Sequence, residues 1–159
     1  MPLNKGNRAP DFKLRLCPEG EFELSSSGGY NLLVFYKVSC PTCQLTLPFV
    51  ERMFKSYGDR IRFLGVSQDE CPDTEEFSRN YGLTFLQASD APDYSVSLAY
   101  DVQVVPTLYL IDGKGNILFV EESFVKSSLE SLNEELAKLA GKEVNPLFED
   151  VSVPPFKAG

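Results

Sequence analysis

The sequence predicts an α/β fold: a three-layer α/β/α sandwich around a mixed central sheet that opens with an N-terminal β-hairpin. Three observations carry this. "YNLLVFY" (Tyr30–Tyr36) is apolar apart from Asn31, as expected of a strand covered on both faces. Directly after it Cys43, Leu47, Val50, Phe54 and Tyr57 recur every three or four residues, which makes an amphipathic helix. Later, "PTLYLI" and "NILFV" flank "DGKG", two strands around a glycine turn. At 159 residues the chain is one domain's worth, long enough to bury about two thirds of its unfolded surface.

Taken in order, "DFKLRL" (Asp11–Leu16) and "EFEL" (Glu21–Leu24) alternate around "CPEG", which reads as the hairpin. The helix after Tyr36 is closed by Gly58 and bent by Pro48, which lacks an N–H for the helix ladder. "IRFLGV" (Ile61–Val66) is the next strand. Pro72 to Tyr81 suits a short helix, with proline early and Glu75 and Glu76 near its start. Asp93 can cap another helix through Tyr100. After the hairpin of Pro106–Ile111 and Asn116–Val120, "SSLE" (Ser127–Glu130) has the capping-box pattern and opens a helix with Val125, Leu129, Leu132, Leu136 and Leu139 on one face. The domain is expected to span residues 1–141. Residues 142–159 form an irregular tail in which Leu147, Phe148 and Phe156 can dock on the body.

Composition narrows the function. A net charge of −8 without a basic run argues against nucleic acid, whose binding rests on Lys and Arg neutralising phosphates. No stretch approaches the roughly 18 apolar residues of a membrane span. The start, "MPLNKGNRAPDFKL", lacks the apolar centre of an export signal, so a cytoplasmic location is expected. Four cysteines and no histidine remove Cys–His nucleophile pairs and most catalytic zinc sites. In a reducing cytosol a close cysteine pair is catalytic or metal-binding more often than structural. A zinc site wants four ligands, and Cys17 and Cys71 stand apart from Cys40 and Cys43, so no metal and no cofactor are expected. Cys17 in a turn, and Cys71 among Asp69, Glu70, Asp73 and Glu75, read as incidental.

The chemistry falls on "CPTC". Cys40 ends the apolar strand, and Pro41 and Thr42 start the helix. Unpaired N–H groups and the helix dipole at that end favour an anion, here a thiolate. Cys43 lies one turn further on the same face and is shielded. Cys40 is therefore the attacking thiol and Cys43 the resolving one.

"CPTC" with Pro48 and the later "VPT" (Val105–Thr107) resembles the thioredoxin superfamily, in particular its redoxin branch. That branch holds the alkyl hydroperoxide reductase/thiol-specific antioxidant proteins and the thioredoxin-like reductases of cytochrome maturation. "APDFKL", "GVSQD" and "LIDGKGNI" extend the likeness from about Ala9 to Gly141. The resemblance implies a thioredoxin-like fold and a cis proline at Pro106 that, with Val105, faces the cysteines and receives a substrate peptide. It also implies thiol–disulfide exchange with a protein disulfide or dithiol, a thiol reductant system as second partner, and a monomer. The sequence departs from the family at Ser39, where Trp is common, at Val34, where thioredoxins carry a buried Asp, and at Thr46, where the cytochrome-maturation branch carries Glu. The usual proton acceptor for Cys43 is thus absent, and Lys37 reads as a solvated charge. The rival reading is a peroxiredoxin attacking hydroperoxides through Cys43. Its P-x-x-x-T-x-x-C signature meets Tyr36 and Cys40 here in place of Pro and Thr, and Pro106 and Thr107 stand about where its Arg would be.

Overall fold

The computed structural model describes residues 2–159. A seven-stranded mixed sheet forms the middle layer, in the order β2-β1-β5-β4-β3-β6-β7. The N-terminal hairpin is β1 (Lys13–Leu16) and β2 (Glu21–Glu23), followed by a single turn, α1 (Leu24–Ser27). β3 (Asn31–Tyr36) is an interior strand of the sheet and all six of its residues are buried, as its apolar run requires. It pairs in parallel with β4 (Arg62–Ser67) and antiparallel with β6 (Thr107–Ile111). β7 (Ile117–Glu122) closes one edge antiparallel to β6.

Alternation along β3 sorts the two cores. Leu32, Val34 and Tyr36 pack with α2 (Pro41–Tyr57), with α5 (Lys126–Ala140) and with Phe77 of α3 (Cys71–Tyr81). Leu33 and Phe35 point the other way, toward α4 (Ser95–Ala99), Tyr100 and the N-terminal hairpin. The expected three layers and mixed sheet are present. Among the described residues no helix is long and apolar enough to cross a membrane.

The structure adds a strand the sequence reading lacked: β5 (Leu86–Ser89). It joins β4 in parallel and β1 antiparallel, so it ties the hairpin to the sheet. "LQAS" has no apolar alternation because its buried polar groups are partnered. Gln87 accepts the Tyr36 hydroxyl at 2.7 Å, and the Ser89 hydroxyl donates to the Asp69 carbonyl at 2.7 Å.

Two helix starts also differ from expectation. α5 begins at Lys126 with Val125 as its N-cap and no side-chain cap, so the Ser127–Glu130 capping box does not form. Ser127 is already inside the helix, and the Ser128 hydroxyl donates to Glu121 of β7. For α4 the expected cap Asp93 contacts only the Ser95 N–H, at 3.2 Å. The buried Asp90 carboxylate takes the N–H groups of Val96 and Ser97 at 3.1 and 2.7 Å. α2 is capped as the sequence implies, by Cys40.

Cys17 and Cys71 form a disulfide, which corrects their reading as incidental. Spacing hid the pair, because 54 positions separate the two residues. The Cys17 N–H donates to the Gln87 carbonyl at 2.9 Å, and Arg15 pairs with Glu70 at 3.2 Å, which draws the hairpin's turn end toward β5 and the start of α3.

Beyond Gly141 the chain packs over α2 and α5. Leu147 and Phe148 are buried, and the Phe148 ring lies 4.7 Å from that of Phe49. Arg52 holds the Leu147 carbonyl at 3.1 Å and Asp150 at 2.9 Å. Phe156 is exposed rather than docked, and with Lys157 it forms β9, antiparallel to β8 (Phe124–Val125).

The disulfide sets a stability prediction. In the chain-entropy model, cross-linking two residues 54 apart is worth about 4 kcal/mol. The Cys17→Ser/Cys71→Ser double variant is expected to lose about 2–4 kcal/mol in urea unfolding followed by circular dichroism. Unchanged stability would show that the bond does not restrain the unfolded chain.

Candidate active site

Topology assembles the site. β3 and β4 are parallel, so both end at the edge of the sheet where α2 and α3 begin. β6 runs opposite to β3, so its first residue, Thr107, lies across from Phe35 at that same edge. The loop entering β6 therefore stands beside the start of α2, although 65 residues separate Cys40 from Val105.

Cys40 is the N-cap of α2, in extended backbone (φ −86°, ψ 115°), with Pro41 at the first helical position. Its Sγ accepts the N–H of Cys43 at 3.1 Å, so a helix-terminal donor is aimed at the sulfur. The same Sγ lies 3.5 Å from the carbonyl oxygen of Val105. The Val105–Pro106 bond is cis, as the resemblance implies. Cys40 is partly exposed, and both it and Cys43 are free thiols.

Cys43 is fully buried. Burial pushes its thiol well above the ordinary range, and the neighbouring Cys40 sulfur and the Asp69 carboxylate add to the shift. The residues at the family's two proton-acceptor positions are silent. Val34 is a buried hydrocarbon, and the Thr46 hydroxyl donates to the Thr42 carbonyl at 2.7 Å. Asp69 is the site residue the sequence reading passed over. Its carboxylate accepts the Val38 N–H at 2.8 Å, which anchors the loop ahead of Cys40 and places a negative charge near Cys43. The readable signal was "GVSQD", where a carboxylate follows a buried strand. Lys37 is exposed, in keeping with a solvated charge.

Thr42 is buried and its hydroxyl donates to the carbonyl of Ala158 in the tail. The structure thus gathers Cys40, Pro41, Thr42, Cys43, Val105 and Pro106 at one edge of the sheet, with Asp69 beside them. A surface cavity of ≈ 620 Å³ lies at the opposite end, between Tyr30, Phe54, Arg62 and Phe85, and has no thiol in its walls. Among the described residues no three Asp, Glu or Cys side chains are grouped to hold a metal ion.

The thioredoxin-like protein YneN of Bacillus subtilis (strain 168) is 28% identical over 120 residues, covering 72% of this chain and 69% of that protein. The thiol-disulfide oxidoreductase ResA of Geobacillus kaustophilus (strain HTA426) is 30% identical over 115 residues, covering 70% of this chain and 66% of that one. Among solved structures, a thiol:disulfide interchange protein of the DsbE kind from Chlorobium tepidum superposes with a TM-score of 0.78 at 28% identity, over 87% of this chain and 99% of that one. The model of the AhpC/TSA family matches residues 5–120, a span that takes in both free cysteines and Pro106. The chain belongs to the AhpC/TSA family and has the thioredoxin-like fold of its thiol–disulfide oxidoreductases.

Proposed function

We propose that this thiol–disulfide oxidoreductase works through Cys40 as nucleophile and Cys43 as resolving thiol, on protein disulfides presented along Val105–Pro106. One observation carries the reading: a partly exposed sulfur at the amino end of α2 takes a helix N–H and abuts the carbonyl before a cis proline. In the reducing direction the Cys40 thiolate attacks one sulfur of the substrate disulfide, which forms the mixed disulfide and expels the other substrate sulfur as a thiolate. Cys43 then attacks the Cys40 sulfur, and its proton passes to the second substrate sulfur, which leaves as a thiol. Two electrons have passed from the Cys40–Cys43 dithiol to the substrate. A thiol reductant regenerates the dithiol, and run backwards the same steps oxidise a substrate dithiol.

The two sulfurs differ in the way this sequence needs. Cys43 stays protonated while Cys40 meets the substrate, so only one of them competes for the first attack. The same burial speaks against the peroxiredoxin reading, in which Cys43 would have to be an accessible thiolate. The residues at the supporting positions of that mechanism, Tyr36 and Cys40, are a buried phenol bonded to Gln87 and the helix-capping thiol.

A monomeric form is part of the proposal, since the exposed apolar pair Tyr94 and Leu98 is confined to one turn at α4, and Leu86, Val144 and Phe156 lie on other segments. So is location. Disulfides such as Cys17–Cys71 persist in oxidising compartments and are rare in the cytosol, which supports a site of action outside the cytoplasm over the cytoplasmic one expected from the sequence.

Cys40→Ser is expected to abolish reduction of a protein disulfide while leaving urea unfolding within about 1 kcal/mol of the parent protein. Cys43→Ser should accumulate a mixed disulfide with substrate, seen as an added mass that dithiothreitol removes. Turnover retained in Cys40→Ser refutes the assignment.

Thiol labelling tests the asymmetry. A raised pKa keeps Cys43 neutral and unreactive, so iodoacetamide should add one group per folded, reduced molecule from pH 7 to 9, on Cys40, and a second only after unfolding. An unfolded cysteine ionises near 8.5, so above about that pH the unfolded state sheds a proton that folded Cys43 keeps, and this contribution to stability falls as pH rises. Mass spectrometry showing Cys43 labelled first in the folded protein would reverse the roles.

A further inference from the structure

The tail arrives at the active site in two stages. Its first part is anchored at a distance from the thiols by Leu147, Phe148 and Arg52. Its last part runs as an extended chain beside β8. The Lys126 N–H donates to the Pro155 carbonyl at 3.0 Å, and Val125 and Phe124 lie opposite Phe156 and Lys157. At the end of this ladder the chain passes over the site itself. Thr42, inside "CPTC", donates its hydroxyl to the Ala158 carbonyl, and the Gly159 N–H donates to the Ser123 hydroxyl at 3.0 Å. Ser123 is held in turn by its own N–H on the Pro106 carbonyl at 2.8 Å. Gly159 packs so closely on the Val105 carbonyl that a Cβ there would overlap that oxygen. One carbonyl, Val105, therefore meets the Cys40 sulfur on one side and the tail on the other.

These contacts are made to backbone atoms of the tail, by two hydroxyls and a short ladder, so they would receive any extended peptide of similar course. We propose that residues 155–159 form a strap that occupies the peptide side of the active site and competes with the substrate polypeptide for the surface formed by Thr42, Val105 and Ser123. The proposal rests on the oxidoreductase reading and adds to it a state in which the surface beside the partly exposed thiol is already occupied. Apparent affinity for a protein disulfide is then reduced by the fraction of molecules with the strap in place.

A substitution that opens the strap and spares its distant anchor tests this. In the antiparallel ladder the bonded pairs alternate, so after the Lys126–Pro155 pair the next residue to donate its N–H is Lys157, opposite Phe124. Lys157→Pro removes that donor, while Lys157→Ala keeps it and serves as control. The strap predicts that iodoacetamide alkylates Cys40 at least threefold faster in reduced K157P than in the parent protein or K157A. It also predicts that a synthetic peptide of residues 154–159 slows K157P again. Gly159→Leu, which cannot sit against Val105, should accelerate labelling in the same way. Parent-like rates in both K157P and G159L overturn the strap. Reduction of a disulfide-bonded peptide, measured alongside, is the separate readout: if the parent and both variants fail to reduce it, the oxidoreductase reading falls, while the labelling rates still decide the strap.

Discussion

Everything at the active edge depends on the start of α2 being held against the loop before β6. The hydrogen bond from Cys43 N–H to Cys40 Sγ fixes the sulfur at the helix end, and the Val105 carbonyl fixes what lies across from it. Neither contact is local in origin. Cys40 stands there because β3 is buried on both faces and ends four residues earlier. Val105 stands there because β6 runs antiparallel to β3 and enters the sheet at the edge that β3 leaves. A slip of one residue in the β3–β6 register would turn every side chain of β6 to the other face and carry Pro106 away from the thiols. The six-residue apolar run of β3 is thus the constraint on which the chemistry rests.

Cys43 shows how a fold separates two like groups three positions apart. Helix geometry puts both cysteines on one face, yet the first is on the rim and the second is within the core formed by Tyr36, Leu47 and Phe77. Desolvation is the largest cause of the upward push on the Cys43 thiol. The negative charge of Asp69 pushes the Cys43 thiol in the same direction, and because it also anchors the Val38 N–H it cannot be exchanged for an apolar residue without releasing the loop that delivers Cys40.

What could be read in the sequence was what repeats or what is chemically rare. β3, β4 and α2 show their burial in unbroken or helical patterns, and "CPTC" with "VPT" names its own chemistry. What escaped was made by partners remote in the chain. β5 is a strand because Tyr36 and Asp69 satisfy its polar side chains, and no window around "LQAS" contains them. The Ser127–Glu130 box was a sound local pattern that lost to the pairing of β8 with β9, which sets where α5 starts. Phe156 was expected to dock through its ring and instead contributes its backbone, which composition cannot signal.

The two sulfur pairs of this chain also have opposite duties, and chain topology separates them. Folding must favour the Cys17–Cys71 bond by as much as that bond favours folding, since the two form one thermodynamic cycle. With about 4 kcal/mol expected from a separation of 54 residues, and about 30 mV corresponding to 1.4 kcal/mol, the fold makes that bond harder to reduce by roughly 85 mV than it is in the unfolded chain. Cys40 and Cys43 lie three positions apart at one helix start. Breaking their bond releases almost no chain, so the fold defends it little, and local contacts at the two sulfurs are left to set its potential. A single polypeptide can therefore hold one disulfide closed as a staple while a second pair opens and closes in turnover, with no difference in the solvent that bathes them.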